Sequence, residues 1–253
     1  MVDCARSAMS AFAHVRPREP AQLKEVGVGM RDQFQGELAE ISSTLVRMAE
    51  GVAAAMRRAT TALLDADQSL AEDVIADDAK IDLLYRVVED QVFEVLARQT
   101  PVASDLRLVL TSLHVAGDLE RMGDLAEHVA RTARRRLPDC AVPPPATTVI
   151  KEMGQIADRM AGKIGPAISD RDAVTAAQLE RDDDAMDELH RSLFQVIFSE
   201  QWTGEREAAV DIALLGRFYE RYADHAVNVG RHVVFLVTAN HPKRYATGSP
   251  HPG

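Results

Sequence analysis

Apolar residues recur every three or four positions along most of the chain, the spacing that gathers them on one face of an α-helix. From Met30, the run Phe34, Leu38, Ile41, Leu45, Met48, Val52 and Met56 predicts a long amphipathic helix to about Leu64, where Asp65 and Asp67 punctuate it. A second stripe, Leu70, Val74, Ile81, Leu84, Val88, Val92, Val95 and Leu96, predicts helix two, which Thr100-Pro101 interrupts. Pro101 suits a first turn, and Leu106, Val109, Leu110, Leu113 and Ala116 begin a third helix lasting to about Arg136. Pro138, Pro143, Pro144 and Pro145 cannot continue it, so residues 138–146 read as a linker.

The scheme then restarts. Val149, Met153, Ile156, Met160 and Ile164 predict helix four, interrupted near Pro166. Leu179, Met186, Leu189, Leu193 and Ile197 predict helix five, and helix six runs from about Glu205 to Thr238. The closing helices match at a separation of 100, Glu120-Arg121-Met122-Gly123-Asp124 against Glu220-Arg221-Tyr222-Ala223-Asp224. This is an internal duplication. The expected fold is all-α: six long helices in two similar three-helix bundles, residues 30–137 and 147–239.

The ends read differently. Pro17, Pro20, Gly27 and Gly29 break any apolar period in residues 1–29, which are left without an assigned fold. Lys24-Glu25-Val26 is encodable by a ribosome-binding sequence shortly before Met30, so Met30 is the expected start and the preceding segment a leader or a mis-assigned start. Residues 240–253, with Pro242, Pro250 and Pro252, read as a disordered tail.

Composition narrows the function classes. The chain has 253 residues and a net charge of -10, so nucleic acid and anionic membrane surfaces are disfavoured partners and cations or basic surfaces favoured ones. The Val233–Val237 run is far short of a membrane span, and no secretory signal is evident, which predicts a cytoplasmic protein without membrane insertion. Cys4 and Cys140 show no metal-ligand spacing and suit a reducing compartment.

The carboxylates are the candidate chemistry. Glu120 and Asp124 are one helical turn apart, and two like charges so placed cost a few tenths of a kcal/mol. The arrangement recurs at Glu220 with Asp224, and on the preceding helices at Asp78 with Asp82 and Asp183 with Asp187. A solvated acidic face explains one such pair; four, placed alike in two halves, are better explained as ligands for hard cations. On a helical wheel, Glu120 and Asp124 point roughly opposite the stripe Leu119, Met122, Ala126, Val129 and Ala133, so the acids are expected to face outward. His128 is a possible further ligand, Arg121 and Arg221 are placed to pair with acids of a neighbouring helix, and Arg134-Arg135-Arg136 reads as a helix C-terminus complementing the dipole. A di-iron carboxylate enzyme would want Glu-x-x-His on two helices; the nearest match is Asp187-Glu188-Leu189-His190 alone. No phosphate-cradling glycine loop or nucleophile elbow is present, which argues against an enzyme.

Thr100-Pro101-Val102-Ala103-Ser104-Asp105-Leu106-Arg107, followed by Asp118-Leu119-Glu120-Arg121-Met122-Gly123-Asp124, resembles the PhoU family pattern, and the resemblance extends from about Met30 to Val237. The second half departs from it at Tyr222-Ala223, where the family has Ile-Gly, then rejoins it at Asp224-His225-Ala226-Val227-Asn228. The departure leaves both second-half motif acids, Glu220 and Asp224, in place. The resemblance implies two three-helix bundles whose motif acids hold iron, zinc, magnesium or manganese, here Glu120, Asp124, Glu220 and Asp224, with Asp78, Asp82, Asp183 and Asp187. It further implies a non-catalytic homodimeric adaptor between the ATPase subunit of the phosphate ABC transporter and the phosphate-sensing histidine kinase. Such a protein keeps phosphate-starvation signalling off and restrains uptake. The alternative is a metal-dependent carboxylate-bundle enzyme or a metal-storage protein.

Overall fold

The computed structural model describes the backbone of residues 20–240 and the side chains of residues 31–240. Six helices follow one another, α1 (Pro20–Asp65), α2 (Gln68–Arg98), α3 (Ser104–Arg136), α4 (Pro144–Ser169), α5 (Ala173–Ile197) and α6 (Arg206–Thr238), with no strand among the described residues. Helices α1 to α3 pack together, as do α4 to α6, and the halves join through α1 on α4 and α3 on α6. Both joints are antiparallel: Val46 and Thr60 of α1 meet Gly165 and Gly154 of α4, while His114 and Arg135 of α3 meet His232 and Asp211 of α6.

Capping explains several boundaries. Asp67 accepts from the Leu70 amide at the start of α2, and Asp172 from the Val174 and Thr175 amides at the start of α5. The expected linker is shorter than residues 138–146, because Pro143 is the N-cap of α4 and Pro144 and Pro145 occupy its first turn, where no amide hydrogen is needed. Pro166 does not end α4, which continues to Ser169. Helix α1 begins at Pro20, ten residues ahead of Met30, so part of the segment left unassigned is helical; residues 1–19 and the tail from 241 lie outside the described residues.

The predicted stripes form one continuous core. Ile41, Met48, Val52, Met56, Leu119, Met122, Met153, Met160 and Ile164 are fully buried. Leu96, Leu106 and Leu110 are corrections: all three are exposed, near the turn that joins α2 to α3. Two tyrosines cross the centre. The Tyr222 hydroxyl donates to the Val52 carbonyl at 3.1 Å. Thr60 Oγ1 already donates to the Met56 carbonyl at 2.8 Å, so the Tyr219 hydroxyl donates to Thr60, at 2.7 Å. Both phenols are fully buried, and they tie α6 to α1, whose backbones lie diagonally and do not pack directly.

Close helix contact sets a glycine requirement at Gly230. A Cβ there would lie 2.6 Å from the Ala176 carbonyl oxygen, a backbone atom that cannot swing aside, whereas a Cβ on Gly162 meets nothing. Gly230→Ala is therefore expected to lower stability by about 1–3 kcal/mol through overpacking. Gly162→Ala should raise it by up to about 1 kcal/mol through helix propensity. Urea unfolding of both variants checks the pair.

Candidate metal and regulatory face

The acids of α2 meet those of α3 because the two helices approach closely at Gly123. A Cβ on Gly123 would stand 3.0 Å from Ile81 Cδ1 and 3.2 Å from Asp78 Oδ1. This contact carries Asp78 and Asp82 to the same groove as Glu120 and Asp124, with Glu127 a turn further on. Burial, then the negative charges of Glu127, Asp82, Asp124 and Glu120, push Asp78 up to about 6. Glu120 is raised by burial and by Asp124, and Arg121 opposes the rise. Arg121 lies 3.0 Å from Asp124 and 3.6 Å from Glu120, so it pairs within its own helix and not with a neighbour as expected.

The second half repeats the arrangement. Asp183 and Asp187 of α5 face Glu220 and Asp224 of α6, and burial, followed by Asp224, Asp187, Glu220 and Asp184, pushes Asp183 up to about 7. Glu220 and Asp224 are also raised, burial being the first cause for each, although Arg217 ion-pairs with Glu220. Asp183 Oδ1 is buried with no hydrogen-bond partner among the described residues. All eight predicted residues thus fall into two four-carboxylate clusters, one per half.

Three expectations about this face change. The motif glutamates do not point outward: the side chains of Glu120 and Glu220 are only 26% and 14% exposed, tucked into the α2–α3 and α5–α6 grooves. His128 contributes no visible ligand role, since it is exposed and packs at 5.2 Å against the Phe218 ring. Arg221 acts on Asp224 of its own helix. His190, the histidine of the lone Asp-x-x-His segment, is lowered by burial and by Arg217 and packs against Phe194. Among the described residues, no three His, Cys, Asp or Glu side chains converge closely enough to enclose an ion as they stand.

Three groups escaped the sequence reading. Glu127 is buried in the first cluster and pairs with Arg131 at 2.6 Å; its spacing of three from Asp124 and seven from Glu120 was the available signal. Asp211 of α6, 7% exposed, receives Arg135 and Arg136 from the end of α3, so the basic run anchors the two halves as well as facing the helix terminus. Asp118, His225 and His232 meet across α3 and α6, a contact that needs the tertiary pairing to be seen. Cys140 is a free, exposed thiol.

The fold and this face define a class: a duplicated helical-bundle protein with a carboxylate cluster in each half. The PhoU domain family matches residues 45–133 and 150–233, one match in each bundle, and the chain belongs to the PhoU family. The phosphate-specific transport system accessory protein PhoU homolog 2 of Mycobacterium tuberculosis is 45% identical over 213 residues, covering 84% of this chain and all of that protein. PhoU homolog 1 of Mycobacterium leprae is 44% identical, covering 85% and 96%. The crystal structure of PhoU from Pseudomonas aeruginosa superposes with a TM-score of 0.75 at 30% identity, over 82% of this chain and all of that one. The phosphate transport system regulatory protein PhoU from Streptococcus pneumoniae shares the fold, with a TM-score of 0.73 at 24% identity over 83% of this chain and 100% of that one.

The raised carboxyls set a pH dependence. Asp78 and Asp183 bind protons more tightly folded than unfolded, where the value is 3.8, so their contribution to stability is fully present below that value. It is lost as pH rises through about 6 and about 7 respectively. In chelator, Asp78→Asn/Asp183→Asn is expected to melt above the wild type at about pH 8, with the margin shrinking toward about pH 4. Equal margins at both ends would refute the assignment.

Proposed function

We propose that this protein is an accessory and negative regulator of phosphate uptake, acting as an adaptor between the ATPase subunit of a phosphate ABC transporter and a phosphate-sensing histidine kinase. The observation that carries this reading is the 45% identity to a mycobacterial protein named as an accessory of the phosphate-specific transport system, a match spanning that protein's whole length. The absence of any helix long and apolar enough to cross a membrane, among the described residues, suits a partner that works at the transporter without entering the bilayer. A cytoplasmic location and a homodimeric state belong to the same reading.

The carboxylate clusters would hold divalent or multinuclear metal: magnesium, manganese, iron or zinc. Glu120, Asp124, Asp78 and Asp82 would supply the oxygens in the first half, and Glu220, Asp224, Asp183 and Asp187 in the second. The donor chemistry fits, since burial and mutual repulsion leave these acids in want of positive charge, and Asp183 Oδ1 is buried without a partner. Bound cations would relieve that repulsion and convert an acidic face into a neutral one. Because the ligands come from two helices in each half, such a cation would also brace α2 on α3 and α5 on α6.

Deletion of the gene is expected to switch on phosphate-starvation genes in phosphate-rich medium, and reintroduction of the intact copy to silence them. Continued silence in the deletion strain, with no second similar protein encoded, would overturn the regulatory reading. Alanine at Glu120, Asp124, Glu220 and Asp224 together should preserve helicity by circular dichroism and abolish metal bound after dialysis, as measured by elemental analysis. Unchanged metal content in that variant would remove these residues from the ligand set.

A further inference from the structure

Asp118 of α3 lies between two imidazoles of α6, at the seam where the two bundles join. His225 Nδ1 is 2.9 Å from Oδ1 of this carboxylate, and His232 Nε2 is 3.5 Å from its Oδ2. His114 of α3 stacks on His232 with ring centroids 5.4 Å apart and planes within 9° of parallel. The side chains of Asp118, His225 and His232 are 15%, 18% and 26% exposed, so the charge state of this group is only partly screened by water. One carboxylate serves two rings, and a third ring is stacked on one of them.

We propose that His114 and His232 form a proton-operated latch on the α3–α6 seam, closed while the stacked rings are neutral and loosened when both are protonated. Neutral imidazoles stack favourably; two imidazolium rings face to face repel. Asp118 can offset one added charge, but it is already engaged by His225. The charges acting on His232 from α3 are Asp118, which favours its protonation, and His114, which opposes it. On its own helix, Arg231 precedes it and is paired with Glu180 of α5. From the turn between α4 and α5, Arg171 lines the small cleft that also includes Val233. Burial is the largest influence on His232 and holds it below 6.5. A histidine lowered in this way adds stability that is present above the unfolded value and is lost as pH falls through the folded one. The seam therefore loosens on acidification.

The affected segment is the end of α6. Beyond His232, Phe235 carries the Arg107 guanidinium 5.9 Å above its ring, so the last turn of α6 lies over the first turn of α3. The latch thus controls whether that end of α6 stays on α3. The two stacked rings lie six and eight residues from the nearest motif acids, Glu120 and Asp224, while His225, which shares Asp118, also acts on both of those acids.

The test combines amide hydrogen exchange with imidazole titration by NMR on the full chain. Exchange in residues 231–238, corrected for intrinsic rate, is expected to quicken several-fold between about pH 7.5 and about pH 5.5. His114→Gln, at an exposed position, should shrink that difference and move the His232 midpoint upward. His232→Gln should remove the difference. A His114→Gln protein with an unmoved His232 midpoint, or with undiminished pH dependence in residues 231–238, would overturn the latch.

Discussion

Like charges are held together here by apolar packing behind them. Each carboxylate pair within a helix is unfavourable by a few tenths of a kcal/mol, and a second pair from the facing helix adds to the repulsion. Against that, burying one side chain of the size of Ile81 or Met122 contributes about 1.5–3 kcal/mol. Both are buried directly behind the first cluster, Met122 completely. Packing therefore wins comfortably, and the acids are driven into a groove that they would avoid if left to themselves. The raised proton affinities of Asp78 and Asp183 are the residue of that conflict. A cation offers the same relief as a proton without requiring an acid to give up its charge.

The two halves are locked by polar groups at the ends and middle of an otherwise apolar joint. Tyr219 and Tyr222 reach from α6 across the diagonal to α1, and each phenol finds an oxygen there. Near the end of α3, Arg135 and Arg136 converge on buried Asp211. Toward its start, Asp118 and its histidines do the corresponding work. An unpaired phenol or carboxylate in any of these places would cost roughly 1–3 kcal/mol, so the polar groups fix the alignment of the helices more narrowly than aliphatic packing alone.

The duplication is not perfect, and its departures fall at the contacts. In the first half, Met122-Gly123 lets Ile81 come against the backbone of α3. In the second, Tyr222-Ala223 fills the equivalent places: the tyrosine is turned inward to Val52, and the alanine methyl is fully buried. Both motif acids survive the change, yet their surroundings differ. Glu127 joins the first cluster and has Val227 as its counterpart, while Asp184 adds to the second. Each half thus carries its own version of the same carboxylate face.

Six helices, their order and the duplication were legible from periodicity alone, because an amphipathic helix must repeat its apolar residues every turn wherever it packs. The motif acids were legible too, since like charges one turn apart, repeated four times, oppose helix propensity. Sequence also indicated the correct end of α6 at Thr238, where Ala239 adopts the left-handed conformation that stops the helix. Tertiary structure decided what those acids face. A helical wheel separates core from surface, but cannot tell open solvent from a groove between helices, and so Glu120 and Glu220 were placed outward. It decided, likewise, that Asp211 and Asp118 are shared between halves, and that Leu106 and Leu110 stay uncovered. Those outcomes depend on which helix lies alongside, a contact between residues of different helices, far apart in sequence, that no local spacing encodes.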